Sequence, residues 1–197
     1  MALSLDTEAQ DLLFHQAHTA RAFTGEPVTD EQVRAVYDLI KYAPTAFNIS
    51  PLRVTVVRSP EGKARLLPHL TEGNRVHTAP APATAILSAD LNFHEKLPTL
   101  FPVKPTLARD VYGDPGVREA DARLNASLQI GYFVLGVRAA GLAAGPMSGF
   151  DRAGVDKEFF PDGRQRSLVL VNIGRPAETA YRPRQPRLDA AEAVSFL

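Results

Sequence analysis

The sequence contains no cysteine among its 197 residues. That excludes disulfides, thiolate nucleophiles, iron–sulfur clusters and cysteine-ligated zinc, so any redox chemistry must be carried by a bound cofactor. Nor is there an excess of charge of either sign, since 22 lysines and arginines balance 22 aspartates and glutamates. A neutral chain argues against nucleic acid or an acidic membrane as the main partner, and its low solubility as a monomer favours an oligomer. GxGxxG and Walker patterns are absent, and no Ser-His-Asp signature declares itself. The opening MALSLDTEAQDLL lacks the basic-then-apolar build of a signal peptide, so a cytoplasmic protein is expected. His15 and His18 have the spacing of a chelating pair, but no histidine–carboxylate motif follows to complete a metal site.

What the sequence does have is one long apolar stretch. Between Ala126 and Leu142 only Ser127, Gln129 and Arg138 interrupt a series of apolar or small residues. The run is too short and too broken to cross a bilayer, which takes about 20 mainly apolar residues. A helix that is apolar all round predicts a central core helix, buried on every side. Leu124, Leu128, Tyr132, Leu135, Ala139 and Leu142 keep helical spacing, and Gly131 and Gly136 mark places where another backbone approaches, a dimer axis included. Gly141 reads as the residue that ends the helix. The segment Gly145–Asp151 then turns into a new helix capped by Asp151, presenting backbone N–H groups to whatever lies in front.

Elsewhere the signals are shorter. Residues 5–18 predict an amphipathic helix with Leu5, Ala9, Leu12 and Leu13 on one side. Thr29 and Gln32 form a capping box for a helix that carries Val33, Val36, Tyr37 and Ile40 and ends near Ala43, ahead of Pro44. Residues 44–51 are either a structural turn or a ligand-facing loop. Strands are expected at 53–58, 83–88 and 167–173, and a helix from the Ser59-Pro60 cap. Residues 72–77 read as a polar loop, and 92–118 as a short helix followed by a mobile loop that covers a pocket. The proline-rich tail carries Arg175, Arg182, Arg184 and Arg187, a solvated arm or a phosphate clamp. Without repeats or linkers, residues 1–197 read as a single domain, and strands separated by helices predict a layered α/β arrangement.

Four groups of residues stand together in order and spacing: RLNASLQ at 123–129 with GPMSGFD at 145–151, APTAFNISP at 43–51, Gly73 to His77, and the proline-arginine tail to Leu188. In these, from residue 10 to its end, the chain resembles the nitroreductase family of FMN-dependent flavoproteins, and within it the malonic semialdehyde reductase branch. The resemblance implies an α+β fold, a three-layer α/β/α sandwich, in an intertwined homodimer whose protomers share their sites. It places His18, Thr19 and Arg21 at the FMN phosphate and ribityl chain, joined there by Arg184 and Arg187. Pro44, Thr45 and Asn48 match the loop lent to the flavin across the dimer interface. Asn74 matches the residue at the pyrimidine edge, His77 stands where relatives often have lysine, and Ser148 and Gly149 match the turn whose amides face flavin N5.

The activity so implied is FMN-dependent reduction of a small substrate by NAD(P)H, with hydride carried by the flavin and no side chain as nucleophile. GPMSGFD, and Ser148 where classical nitroreductases often have glutamate, direct the expectation to malonic semialdehyde, reduced to 3-hydroxypropionate. Lys104 and Arg109 are then candidates for its carboxylate, or else solvated charges. The alternatives are a nitroaromatic, quinone or enone reductase of the same family, and a non-catalytic flavin-binding protein.

Overall fold

A four-stranded sheet divides the molecule into layers: β1 (Leu52–Val57), β2 (Ala83–Asp90), β3 (Ala143–Met147) and β4 (Gln165–Gly174), in the order β1-β2-β4-β3. The structure is a computed structural model that describes residues 3–197; Met1 and Ala2, the first residues of the stretch read against a signal peptide, lie outside the described residues. Every strand pair is antiparallel, from Leu52↔Ala89 in the first pair to Ala83↔Ile173 and Ala143↔Gly174 in the others. Helix-separated strands therefore need not be parallel. The segments joining β1 to β2 and β3 to β4 begin and end at the same end of the sheet, so the strands they join run in opposite directions.

Helices cover both faces. All eight residues of β2 are buried, because the strand lies inside the sheet with a helical layer on each side. On one face, Ala85 and Leu87 meet Val36 and Ile40 of α2 (Asp30–Ile40) and Phe133 and Val137 of α7 (Pro115–Ala139). On the other, Ile86 meets Leu66 of α3 (Pro60–Leu66) and Val155 of α8 (Arg152–Phe159). This is the expected α+β sandwich, with α/β/α layering.

Local signals were read well where they were strong. The Thr29–Gln32 capping box is present in both directions, and α2 stops at Ile40, three residues short of the expected end. The C-terminus of α7 is closed by Gly141 at φ +73°, whose N–H donates to the Arg138 carbonyl at 2.8 Å. The Leu142 N–H reaches back to Val137 at 3.1 Å and its side chain is buried, completing a Schellman closure. Asp151 occupies the N-cap of α8, although its side chain makes no capping bond.

Three expectations need correcting. Residues 72–77 belong to α4 (Glu72–Thr78), a helix too polar to carry an apolar stripe. The 5–18 segment is broken into α1 (Thr7–Gln10) and a π-helical turn (Asp11–His15), with Leu5 and Leu12 exposed. Most consequentially, α7 is not buried all round. Leu124, Leu128 and Tyr132 remain 62%, 52% and 45% exposed, since it is the Ile130–Phe133–Val137 side that packs on the sheet. Two of the polar residues in α7 bind neighbouring backbone instead: Asn125 accepts from the Ala46 N–H at 2.8 Å and Gln129 from the Leu52 N–H, at the start of β1, at 3.0 Å. Residues 93–112, with α5 (Leu97–Leu100) and α6 (Leu107–Asp110), pack on a cluster of their own around Phe93, Leu97, Leu107 and Tyr112.

Candidate functional site

The segment from Ala17 to Arg21 is clamped between edge strand β3 and the C-terminal tail. Ala20 N–H donates to the Ala144 carbonyl at 3.0 Å and Arg21 N–H to the Ala180 carbonyl at 2.9 Å. Gly145 makes the approach possible, because a Cβ there would stand 2.5 Å from the Ala20 oxygen. Beneath this segment opens a cavity of about 510 Å³, on whose wall Arg21, Arg138, Arg182, Arg184 and Arg187 converge without any carboxylate. Arg184 donates to the carbonyls of His15 (2.6 Å) and Ala17 (3.0 Å), and Arg138 Nε to that of Leu12 (2.7 Å), so both also hold the N-terminal segment.

His18 lines the same cavity, its ring 5.4 Å from that of Tyr181. Burial first, and then the guanidinium groups of Arg184, Arg138 and Arg187, hold its imidazole below the ordinary histidine range. Its Nε2 is buried with no hydrogen-bond partner. A wall of guanidinium groups with no carboxylate among them suits an anion.

A second cavity, of about 90 Å³, shares Thr19, Arg21 and Pro146 with the first and adds Asn74, His77 and Asn172. Ser148 and Gly149 follow directly on β3. The Gly149 carbonyl accepts from Asn74 Nδ2 (2.9 Å), Thr71 Oγ1 (3.0 Å) and the Thr71 N–H (3.2 Å), which fixes the orientation of this turn. Seven predicted site residues are thus brought to two joined cavities (His18, Thr19, Arg21, Asn74, His77, Arg184 and Arg187), with Gly149 bonded to Asn74 beside them and Ser148 next to it.

Pro44, Thr45 and Asn48 are not brought there and line neither cavity. Thr45 Oγ1 accepts from the Ser50 N–H at 3.2 Å, and Asn48 Nδ2 donates to the Leu100 carbonyl at 2.9 Å. Phe47, Asn48 and Ser50 all have positive φ (48°, 54° and 40°), a local strain held in place by these bonds. Ser50 and Leu100 border a separate, open cavity of about 830 Å³ between α2 and β1. Arg109 pairs with its neighbour Asp110 at 3.1 Å, and Lys104 is exposed. His15 is hydrogen-bonded to Asp11 at 2.9 Å, and no cluster of metal-ligating side chains occurs among the described residues. Sequence reasoning missed Arg138 at the anion cavity, although a lone charge in the most apolar stretch of the chain was the signal for it.

The Nitroreductase family profile matches residues 15–175. A Streptomyces coelicolor protein, provisionally named an NADH dehydrogenase/NAD(P)H nitroreductase, is 59% identical over 99% of both chains. A similarly named Leptothrix cholodnii protein is 46% identical over the full length of both. Among solved structures, one assigned as a nitroreductase from Bacillus subtilis superposes with a TM-score of 0.85 at 21% identity, over 98% of this chain and all of that one. Another, from Exiguobacterium sibiricum and in complex with FMN, gives 0.83 at 18% identity over both whole chains.

Proposed function

The chain belongs to the nitroreductase family, and on that premise we propose that it is an oxidoreductase that binds FMN in the two joined cavities and uses NAD(P)H to reduce a small electrophile. One observation carries the reading: five arginines and a histidine whose Nε2 has no partner, with no acid among them, open onto a slot edged by amide side chains. An FMN phosphate is nearly a dianion and suits forked guanidinium donors, here Arg21, Arg184 and Arg187, with Arg138 behind them. His18 and Thr19 meet the phosphate and ribityl chain. Asn74 and His77 serve the polar edge of the ring, and the Ser148–Gly149 turn, held by Thr71 and Asn74, offers its amides beside it. When bound, the flavin supplies two-electron transfer between NAD(P)H and the acceptor. The residues of this chain bind it, orient it and shield its ring.

The partner is a second copy of the chain. An exposed apolar stripe on α7, and a strained loop at 44–48 that lines no cavity of its own protomer, both suit a homodimer in which Pro44, Thr45 and Asn48 serve the other protomer's flavin. We expect the purified protein to be yellow or to take up one FMN per chain, and to scatter light as a dimer. A colourless chain that cannot be reconstituted overturns the flavin reading; a monomer holding flavin stoichiometrically overturns the shared site.

For the acceptor, a nitroaromatic, quinone or enone is the first reading, because the sequence relatives carry NAD(P)H nitroreductase names and Arg109 is already neutralised by Asp110. Malonic semialdehyde is the second, favoured by GPMSGFD and the exposed Ser148, with Lys104 left for its carboxylate. Comparing kcat/KM for a nitroaromatic, malonic semialdehyde and an uncharged aldehyde of similar size decides between them. We expect the nitroaromatic to be preferred; a preference for the semialdehyde that vanishes with its carboxylate would reverse the order.

A further inference from the structure

Lys63 lies in α3, outside both cavities, and is only 8% exposed. Its Nζ donates to the carbonyls of Thr78 (2.6 Å) and Ala81 (2.8 Å) and to Thr84 Oγ1 (3.1 Å), so all three of its protons are used. No carboxylate pairs with it among the described residues. The ammonium is held by carbonyl dipoles at the C-terminal end of α4, where a helix favours a cation. An ammonium can only donate. Thr84 Oγ1 accepts from Lys63 and donates its own proton to Asn172 Oδ1 at 2.8 Å. The other end of the Asn172 amide, Nδ2, donates to Thr78 Oγ1 at 3.1 Å, and the Thr78 hydroxyl proton goes to Met147 Sδ at 3.5 Å. The chain of bonds runs from α3 through β2, β4 and α4 to β3, and Asn172 and Met147 line the smaller cavity together with Asn74 and His77 of α4.

We infer that Lys63 is a positioning residue for the flavin slot: it fastens the C-terminal end of α4 and anchors one end of the Thr84–Asn172–Thr78–Met147 chain, so that Asn74, His77 and Asn172 stand at fixed positions on the cavity wall. The inference rests on the flavin reading given above. It accounts for a buried charge without a counter-ion, which a merely structural position would fill more cheaply with an apolar side chain. Burial pushes the Lys63 ammonium down to about 8, which leaves it charged at neutral pH.

The test uses Lys63→Met and Thr84→Val, the second cutting the link to Asn172 while sparing the two carbonyl contacts of Lys63. Both variants are expected to weaken FMN and riboflavin equally, Lys63→Met by about tenfold, and both to shift the visible spectrum of the bound flavin. Hydrogen exchange on the flavin-free chain should show α4 amides losing protection in Lys63→Met while those of α2 keep theirs. Unchanged affinity and spectrum in Thr84→Val, whether or not Lys63→Met folds, would overturn the inference. Wild-type protein that binds neither flavin would instead overturn the flavin reading, and the α4 exchange would still decide whether Lys63 positions that helix.

Discussion

Replacing Gly145 with alanine is expected to destabilise the fold by roughly 1–3 kcal/mol and to cost flavin binding at the same time. The added methyl would lie 2.5 Å from the carbonyl oxygen of Ala20, a backbone atom that cannot rotate away. Something must shift, and the partner that meets the methyl is the Ala17–Arg21 segment, tied to β3 by the bond from Ala20 N–H to Ala144 O. Its displacement would carry His18, Thr19 and Arg21 out of register with the tail arginines. Gly73→Ala is the natural control, since nothing lies within 4 Å of its added methyl and alanine is compatible with the first turn of α4. Urea denaturation and flavin titration of the two variants check the prediction. A Gly145→Ala protein as stable and as tight as wild type would mean that the segment accommodates the methyl freely.

Arg187→Ala should weaken FMN about tenfold or more and leave riboflavin, which lacks the phosphate, nearly unaffected. The structure explains why this residue is a clean probe. Among the described residues its hydrogen bonds are to the carbonyls of Gln185 and Pro186, in its own tail, so removing it unties no other element there. Arg184 is different. Because it also grips the carbonyls of His15 and Ala17, Arg184→Ala should loosen the segment that bears His18 and weaken both flavins. Calorimetric titration of the two variants with the two ligands gives four numbers, and equal losses of both ligands in Arg187→Ala would show that it acts through folding.

How much of this was legible in the sequence depends on the range of the interaction concerned. The Thr29 capping box and the Gly141 closure involve neighbours a few residues apart, and each stands where the sequence placed it. Three of the four strands were legible for the same reason, whereas β3, short and carrying Gly145 and Pro146, was read only as the approach to a turn. Their antiparallel direction was not legible, because it follows from pairings such as Ala83 with Ile173 that no local pattern encodes. Helix α4 escaped because Glu72, Asn74, Arg75 and His77 give it no apolar stripe. The anion cavity was found only in part: the motif residues His18, Arg21, Arg184 and Arg187 could be matched by resemblance, whereas Arg138 reaches the site from the far end of α7. The apolar circumference of α7 was read as complete burial, yet a single chain has too few layers to cover it.

The order of the strands also bears on how the chain is made. β4 is the last strand to be synthesised, yet it sits inside the sheet, paired with β2 on one side and β3 on the other. Once Asp90 has left the ribosome, β1 and β2 can pair, but the remaining edge of β2 has no partner until Gln165 to Gly174 appear. At elongation rates of roughly 5–20 residues per second that interval is on the order of ten seconds, during which eight residues that the finished fold buries stand open on one edge. Pairings this distant in sequence also make folding slow once the chain is released. A premature stop anywhere ahead of β4 would therefore yield no smaller domain, only an unclosed sheet edge available to other chains.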